Sequence, residues 1–460
     1  MMKRHNPRTT PETSVTDVET KCCLGQSGQS AGGVNRRRVL KSLAAATALA
    51  AMNLPAVQVL ARSPAEPPKK QSEIVQNPRW YGFNLLEYFS TDADWMNYFP
   101  YKNDGMFVED DFRWIRDWGF NFVRLPMDYR FWTDPNDMMK IHEEKVEPID
   151  RAIRLGEKYG IHVNICLHRA PGYCVLDRQD PAIGAVSLHD LRTGNLSKVR
   201  IIVEKTNLFE DPQARDAFAH QWTFFAQRYK DIPSERLSFN LLNAPLPPMT
   251  HAEKVAMRQG DQTGIDVFSE IHSDQIANCL RVARVGITAI RSVDGQRLIV
   301  SDGYGGGTPI PELLETGVIQ GRFAYMPLQL TLYKAEWAPW ATGSRPPSWP
   351  VPAPHGHVSI DRSTIEYSFR DLRALEKHGG RIHFDEMGCY KYTPHSIVLA
   401  WFNDTLTAIG KLHSGWALRN FRGPFGVLDT ERRGTKFEDW YGHQLDRELL
   451  TLLQKKMKQA

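Results

Sequence analysis

Cysteine is scarce in this 460-residue chain, at six in all, and Cys22 and Cys23 fall near the N-terminus. The four that remain, Cys166, Cys174, Cys279 and Cys389, are too few for a disulfide scaffold, and none of their spacings is that of a zinc site. His355-Gly356-His357 is a loop pair with no carboxylate-bearing strand beside it, which argues against a metal-dependent barrel hydrolase. No metal and no cofactor are expected. Net charge is also lacking. Residues 1–61 hold eight of the 57 Lys/Arg and three of the 53 Asp/Glu, so 49 bases face 50 acids in the rest of the chain. No basic footprint for nucleic acid survives in that balance. A long apolar run is absent too: the Ala/Leu-rich stretch after Lys41 is interrupted by Asn53 and Pro55, weaker than a stable membrane span needs. Hydrophobic content of 42% and charged content of 24% are those of an ordinary globular protein.

What is present near the start reads as an address. Arg36-Arg37-Arg38 precede the Ala/Leu-rich stretch, and Val59-Leu60-Ala61 offers small residues for cleavage, an order that predicts a twin-arginine export signal over residues 1–61. Residues 62–78, with Pro64, Pro67 and Pro68, read as a linker. Periplasmic or extracellular location is the expectation, and there Cys174 and Cys389 could pair, although a buried free thiol is the commoner state.

From residue 79 to 460 short apolar runs alternate with helical periodicity, the pattern of parallel β/α units. Eight strands are predicted: Tyr81–Leu85, Phe120–Met127, Ile161–His168, Leu237–Leu242, Arg297–Ser301, Phe323–Leu330, Ile382–Glu386 and Gly415–Asn420. A long helix is predicted over Asp361–Lys377, and Gln444–Lys455 closes the chain as an amphipathic helix. The fold expected is a single (β/α)8 barrel, which a chain of this length accommodates as one domain. Its long loops follow strands, which places Trp132, Trp337, Trp340 and Trp349 among candidates for stacking on sugars or for packing.

Two strand ends carry the chemistry. The run LSFNLLNAP ends on Asn243, Ala244 and Pro245, and RIHFDEMGCY ends on Glu386. At these ends the sequence resembles glycoside hydrolase family 5, cellulase-like barrels in which strand four ends Asn-Glu-Pro with the acid/base and strand seven ends on the nucleophilic Glu. The resemblance implies that Glu386 is the nucleophile of a retaining reaction and that the acid/base position is vacant at Ala244. It also implies that Arg124 in VRLP hydrogen-bonds the nucleophile, that His168 in HRAPG and Asn243 touch the sugar, and that Tyr325 matches a strand-six tyrosine. Trp337 is a candidate platform in the loop beyond.

Three positions depart from the family pattern: Ala244 for the acid/base, Phe323 for a histidine, and Arg419 in GWALRN for the tryptophan floor of the cleavage subsite. Glu336 could replace the missing acid if its loop folds inward. Asp385 is a poorer substitute, because adjacent strand residues point to opposite faces. Two readings follow: an exported hydrolase of O-glycosyl bonds in β-linked polysaccharides or oligosaccharides, or a pseudo-glycosidase that binds β-glycans without turnover. Replacing Arg36, Arg37 and Arg38 together by Lys should leave precursor in the cytoplasm, read by fractionation; unchanged export would refute the twin-arginine address.

Overall fold

The computed structural model describes residues 78–85, 107–134, 136–174, 206–248, 273–335, 346–352 and 359–459, all within the compact unit Lys70–Ala460. The leader, nearly all of the linker, Glu336, Trp337, Trp340, His355 and His357 lie outside the described residues.

Eight parallel strands close on themselves: β1 Tyr81–Asn84, β2 Phe122–Asp128, β3 His162–Ala170, β4 Leu237–Asn240, β5 Leu298–Asp302, β6 Ile319–Ala324, β7 Arg381–Met387 and β8 Trp416–Leu418. Each pairs with its sequence neighbours, and β1 with β8 completes the ring. The expected single (β/α)8 barrel is the observed architecture.

Strand alternation divides the residues between two environments. Val123, Leu125, Val163, Ile165, Phe239, Ile299, Ile382, Phe384 and Leu418 join the large core cluster. Around the barrel lie α1 Glu109–Asp117, α2 Glu147–Tyr159, α3 Pro212–Arg228, α4 Ser273–Arg291, α5 Arg362–Ser368, α6 Arg370–Lys377, α7 His395–Gly410 and α8 Arg447–Gln459. Among the described residues no helix is long and apolar enough to cross a membrane. Local chemistry sets their ends. Asp211 accepts the Gln213 N–H at 2.8 Å ahead of Pro212 at the first helical turn of α3. Gly160, at φ 67°, terminates α2 in the left-handed region. The alternate strand residues face inward: Trp80, Phe122, Val300, Ile319 and Ala417 form a second apolar cluster. Trp80 stacks on His162 at 4.0 Å between ring centroids.

Three elements differ from the sequence reading. The sixth strand is Ile319–Ala324, not Phe323–Leu330; Pro327 has no N–H for a ladder, and Leu328–Thr331 forms a single helical turn. The helix expected over Asp361–Lys377 is two helices that meet at Phe369, whose ψ of 10° departs from helical geometry. The last helix begins at Arg447, because His443–Leu445 pairs with Glu438–Trp440 as a small antiparallel ribbon.

β1 and β2 approach so closely that a Cβ on Gly82 would sit 1.7 Å from the Phe122 carbonyl oxygen, a backbone atom that no rotamer can move away. Gly82→Ala should therefore cost at least about 2 kcal/mol, read from the urea midpoint. Gly295→Ala, where nothing lies within 4 Å, is the control and should change stability by less than about 1 kcal/mol.

Candidate active site

Regular alternation along β7 would turn Glu386 away from the barrel axis once Asp385 points in. The register instead shifts between Phe384 and Glu386: Phe384 pairs with Arg322, and Glu386 pairs with the next residue, Phe323. This bulge sets two consecutive carboxylates on the inner side of the strand. The expectation that Asp385 faces away from Glu386 is thus corrected. Asp385 lies inside the barrel, fully buried, with Oδ1 2.8 Å from His383 Nδ1.

Glu386 is only 2% exposed. Its Oε1 accepts Tyr325 O–H at 2.5 Å and Arg419 Nη1 at 2.5 Å, while Arg124 Nη1 stands 3.6 Å from Oε2. Burial opposes the charged carboxylate, but the Arg419 and Arg124 charges and the Tyr325 hydrogen bond outweigh it and hold its pKa below the usual carboxylate value. The guanidinium of Arg419 lies 5.2 Å over the Phe425 ring, and Tyr325 meets the same ring edge-on at 6.3 Å. His168 is half-buried at the end of β3. Burial, against the pull of Glu386, pushes its pKa down to about 4, so the ring is neutral at neutral pH.

Below them Arg124, fully buried, ties four strand ends together. Nη1 donates to Asn84 Oδ1 at 2.9 Å, and Nη2 to Asn243 Oδ1 at 2.9 Å and Cys166 Sγ at 3.0 Å. Asn84 in turn donates to the carbonyls of Asp385 and Leu418 at 2.9 and 2.8 Å. Beyond β4, Asn243 N–H bonds the Leu167 carbonyl at 3.0 Å, and Tyr173 O–H donates to the carbonyls of Asn243 and Ala244. Ala244 has φ 43°, a left-handed conformation that a non-glycine residue holds only when its surroundings enforce it. Its N–H donates to Asp302 Oδ2 at 2.9 Å.

The structure thus brings Glu386, Arg124, Asn243, Tyr325 and Arg419 into one bonded group, with His168 close enough to Glu386 for its charge to be felt. Trp132 is fully buried and bonds Gln221, and Trp349 bonds Asp404, so both serve packing. Cys166, Cys279 and Cys389 are buried free thiols. Sequence reasoning passed over Asn84, Cys166 and Asp302. The signal for them was parity: each falls on the inward phase of its strand, as Arg124 and His168 do. Arg419→Met, which removes one of two cations from Glu386, should raise the titration midpoint of that carboxyl. Carboxyl-carbon NMR reads it, and an unmoved midpoint would show that Arg419 does not hold the charge.

A family model described as Cellulase (glycosyl hydrolase family 5) matches residues 76–327. The chain is similar to Endoglucanase C of Acetivibrio thermocellus, 22% identical over 357 residues that cover 72% of this chain and 88% of that protein. Among solved structures it is similar to a glycoside hydrolase at 31% identity and a TM-score of 0.66, covering 82% of this chain and 99% of the other. It is also similar to Thermotoga maritima Cel5A in complex with mannotriose, at 20% identity and a TM-score of 0.55, covering 81% and 97%; that likeness speaks to the fold. The family match spans more than half of the sequence and runs from before β1 to just past β6, and the chain belongs to glycosyl hydrolase family 5, the cellulase family.

Proposed function

We propose that this protein is an exported β-glycan hydrolase of the retaining kind, with Glu386 as nucleophile and the acid/base position vacant at Ala244. The observation that carries the reading is the bonding around Glu386, which keeps a buried carboxylate ionised at a strand end. Tyr325 and Arg419 occupy Oε1, so Oε2 is the oxygen for attack on an anomeric carbon. Asn243, anchored through Arg124, supplies an amide for a sugar hydroxyl, and neutral His168 adds a donor or acceptor beside it. One similar protein is named an endoglucanase, and Cel5A is described in complex with a mannotriose substrate, which supports a β-linked oligosaccharide or polysaccharide as substrate here. Export rests on the arginine cluster of the leader.

Proton donation to the leaving oxygen is the step that this chain performs differently. With alanine at 244, loss of a general acid removes a factor of about 10² to 10⁴ for a poor leaving group. An activated aryl group departs without that proton. Attack of Glu386 then forms the glycosyl ester and releases the phenolate, and azide, which needs no base, can displace the sugar from the ester as glycosyl azide.

Slow turnover of an aryl β-cellobioside, accelerated by azide and abolished by Glu386→Gln, is therefore the expected result. Ala244→Glu should raise hydrolysis of soluble β-glucan by at least about tenfold, measured as reducing ends. Brisk β-glucan hydrolysis by the unaltered protein would overturn the vacancy. Aryl turnover that survives Glu386→Gln would overturn the nucleophile.

A further inference from the structure

Beneath the group around Glu386 lies a pair of carboxyls that the reaction above does not use. Asp302 ends β5 and Asp385 sits on the bulge of β7, with the β6 glycine Gly321 between them. Both side chains are fully buried. A Cβ on Gly321 would lie 2.0 Å from Asp385 Oδ2 and 2.4 Å from Asp302 Oδ1, so the two oxygens converge on the space that the missing side chain leaves. Among the described residues, Asp385 Oδ2 has no hydrogen-bond partner. Two ionised carboxylates do not share such a space, since each denies the other a donor and repels it in a medium of low dielectric.

The other bonds show where protons are required. His383 Nε2 is 3.2 Å from the Trp80 carbonyl oxygen, which can only accept, so Nε2 carries hydrogen. Nδ1 faces Asp385 Oδ1 at 2.8 Å, and one proton lies in that contact whether the histidine or the aspartate owns it. Asp302 Oδ1 accepts Asn240 Nδ2 at 2.7 Å, and Oδ2 accepts the Ala244 amide at 2.9 Å with Arg124 Nη2 at 3.5 Å. Both Asp302 oxygens thus serve as acceptors, and Oδ1 is also the oxygen that converges on Asp385 Oδ2.

We propose that Asp302 and Asp385 share a single proton beneath the active site, and that this carboxyl pair is a positioning element that fixes Arg124 and the backbone of residue 244. One oxygen of Asp302 holds both the residue-244 amide and the guanidinium that faces Glu386, so the pair's charge decides how much of Arg124's attraction is left for Glu386. The groups that face Asp302 are Arg124 from β2, Cys166 from β3, Asn240 and the residue-244 amide from β4 and its loop, and Asp385 from β7. His383 and Glu386 stand behind Asp385 on the same strand. Burial and the Asp385 charge raise the Asp302 carboxyl to about 7, against the opposing pull of Arg124. Burial keeps the Cys166 thiol neutral. The pairing goes beyond the glycosidase reading and does not depend on turnover.

The sign of its linkage is fixed. A carboxyl raised in the folded state contributes stability that is complete below its unfolded pKa, about 4, and is lost as pH rises through about 7. Between pH 5 and 8 the wild-type Tm should therefore fall relative to that of Asp302→Asn by about 3 °C, and Asp385→Asn should flatten the profile in the same way. Infrared difference spectra at pH 6, wild type minus each variant, should both show the carbonyl stretch of a protonated acid, absent from the same differences at pH 8.5. A flat Tm difference, or no such band against either variant, would overturn the shared proton. Should the variants fail to fold, aspartate carboxyl-carbon NMR of the wild-type chain decides. Two coupled resonances moving together near pH 7 support the pair, and no aspartate carboxyl moving between pH 5 and 8 refutes it.

Discussion

A guanidinium that never gives up its proton, held in a barrel with no exposure to solvent, is the constraint on which this site depends. Arg124 cannot relax by neutralising, so the barrel must supply anions and acceptors around it. It does so with Glu386 and Asp302 as carboxylates and Asn84, Asn243 and Cys166 as neutral partners. The partners come from β1, β3, the β4 end, β5 and β7, so satisfying one cation brings five strand ends to fixed places. Removing one member of such a buried set strands the others, at a typical cost of about 3–5 kcal/mol. The geometry of the candidate site and the closure of the barrel are in this sense one requirement.

Arg419 changes the character of the rim. Where the family resemblance leads one to expect an indole, a second guanidinium is bonded to Glu386 and rests over the Phe425 ring. Glu386 is therefore flanked by two cations, Arg124 facing Oε2 and Arg419 bonded to Oε1, which favours its ionised form and draws electron density from Oε1. Tyr325 shares that oxygen and so tightens the same clamp. Charge on Glu386 is secure here at some expense to its basicity.

Most of this was legible in the chain because period-two alternation and polar strand ends are local signals. The barrel and the strand ends at Asn243 and Glu386 were readable from apolar runs that stop on a polar residue, and Arg124 and His168 from the family resemblance of VRLP and HRAPG. Three things were not. The β6 boundary was misplaced, because Phe323–Leu330 is the more apolar run, and Pro327 together with pairing to β5 and β7 selects Ile319–Ala324 instead. The bulge in β7 leaves no mark in HFDEMG, since it arises from the register with a neighbouring strand. The break at Phe369 is likewise silent, as no proline or glycine marks it. Asn84, Cys166 and Asp302 were visible in phase but anonymous, because their meaning comes from Arg124, which is distant in sequence from each.

The bulge at Asp385-Glu386 also makes the identity of the rim carboxylate a matter of counting. A strand that closed without the extra residue would keep Asp385 inside and turn Glu386 toward the helices, presenting Met387 at the mouth. Nothing in the composition of the strand would change, yet the barrel would offer a thioether where it now offers a carboxylate. Chemistry at this mouth is thus stored as a register, and a single-residue deletion or insertion between His383 and Met387 would rewrite it without altering any side chain that remains.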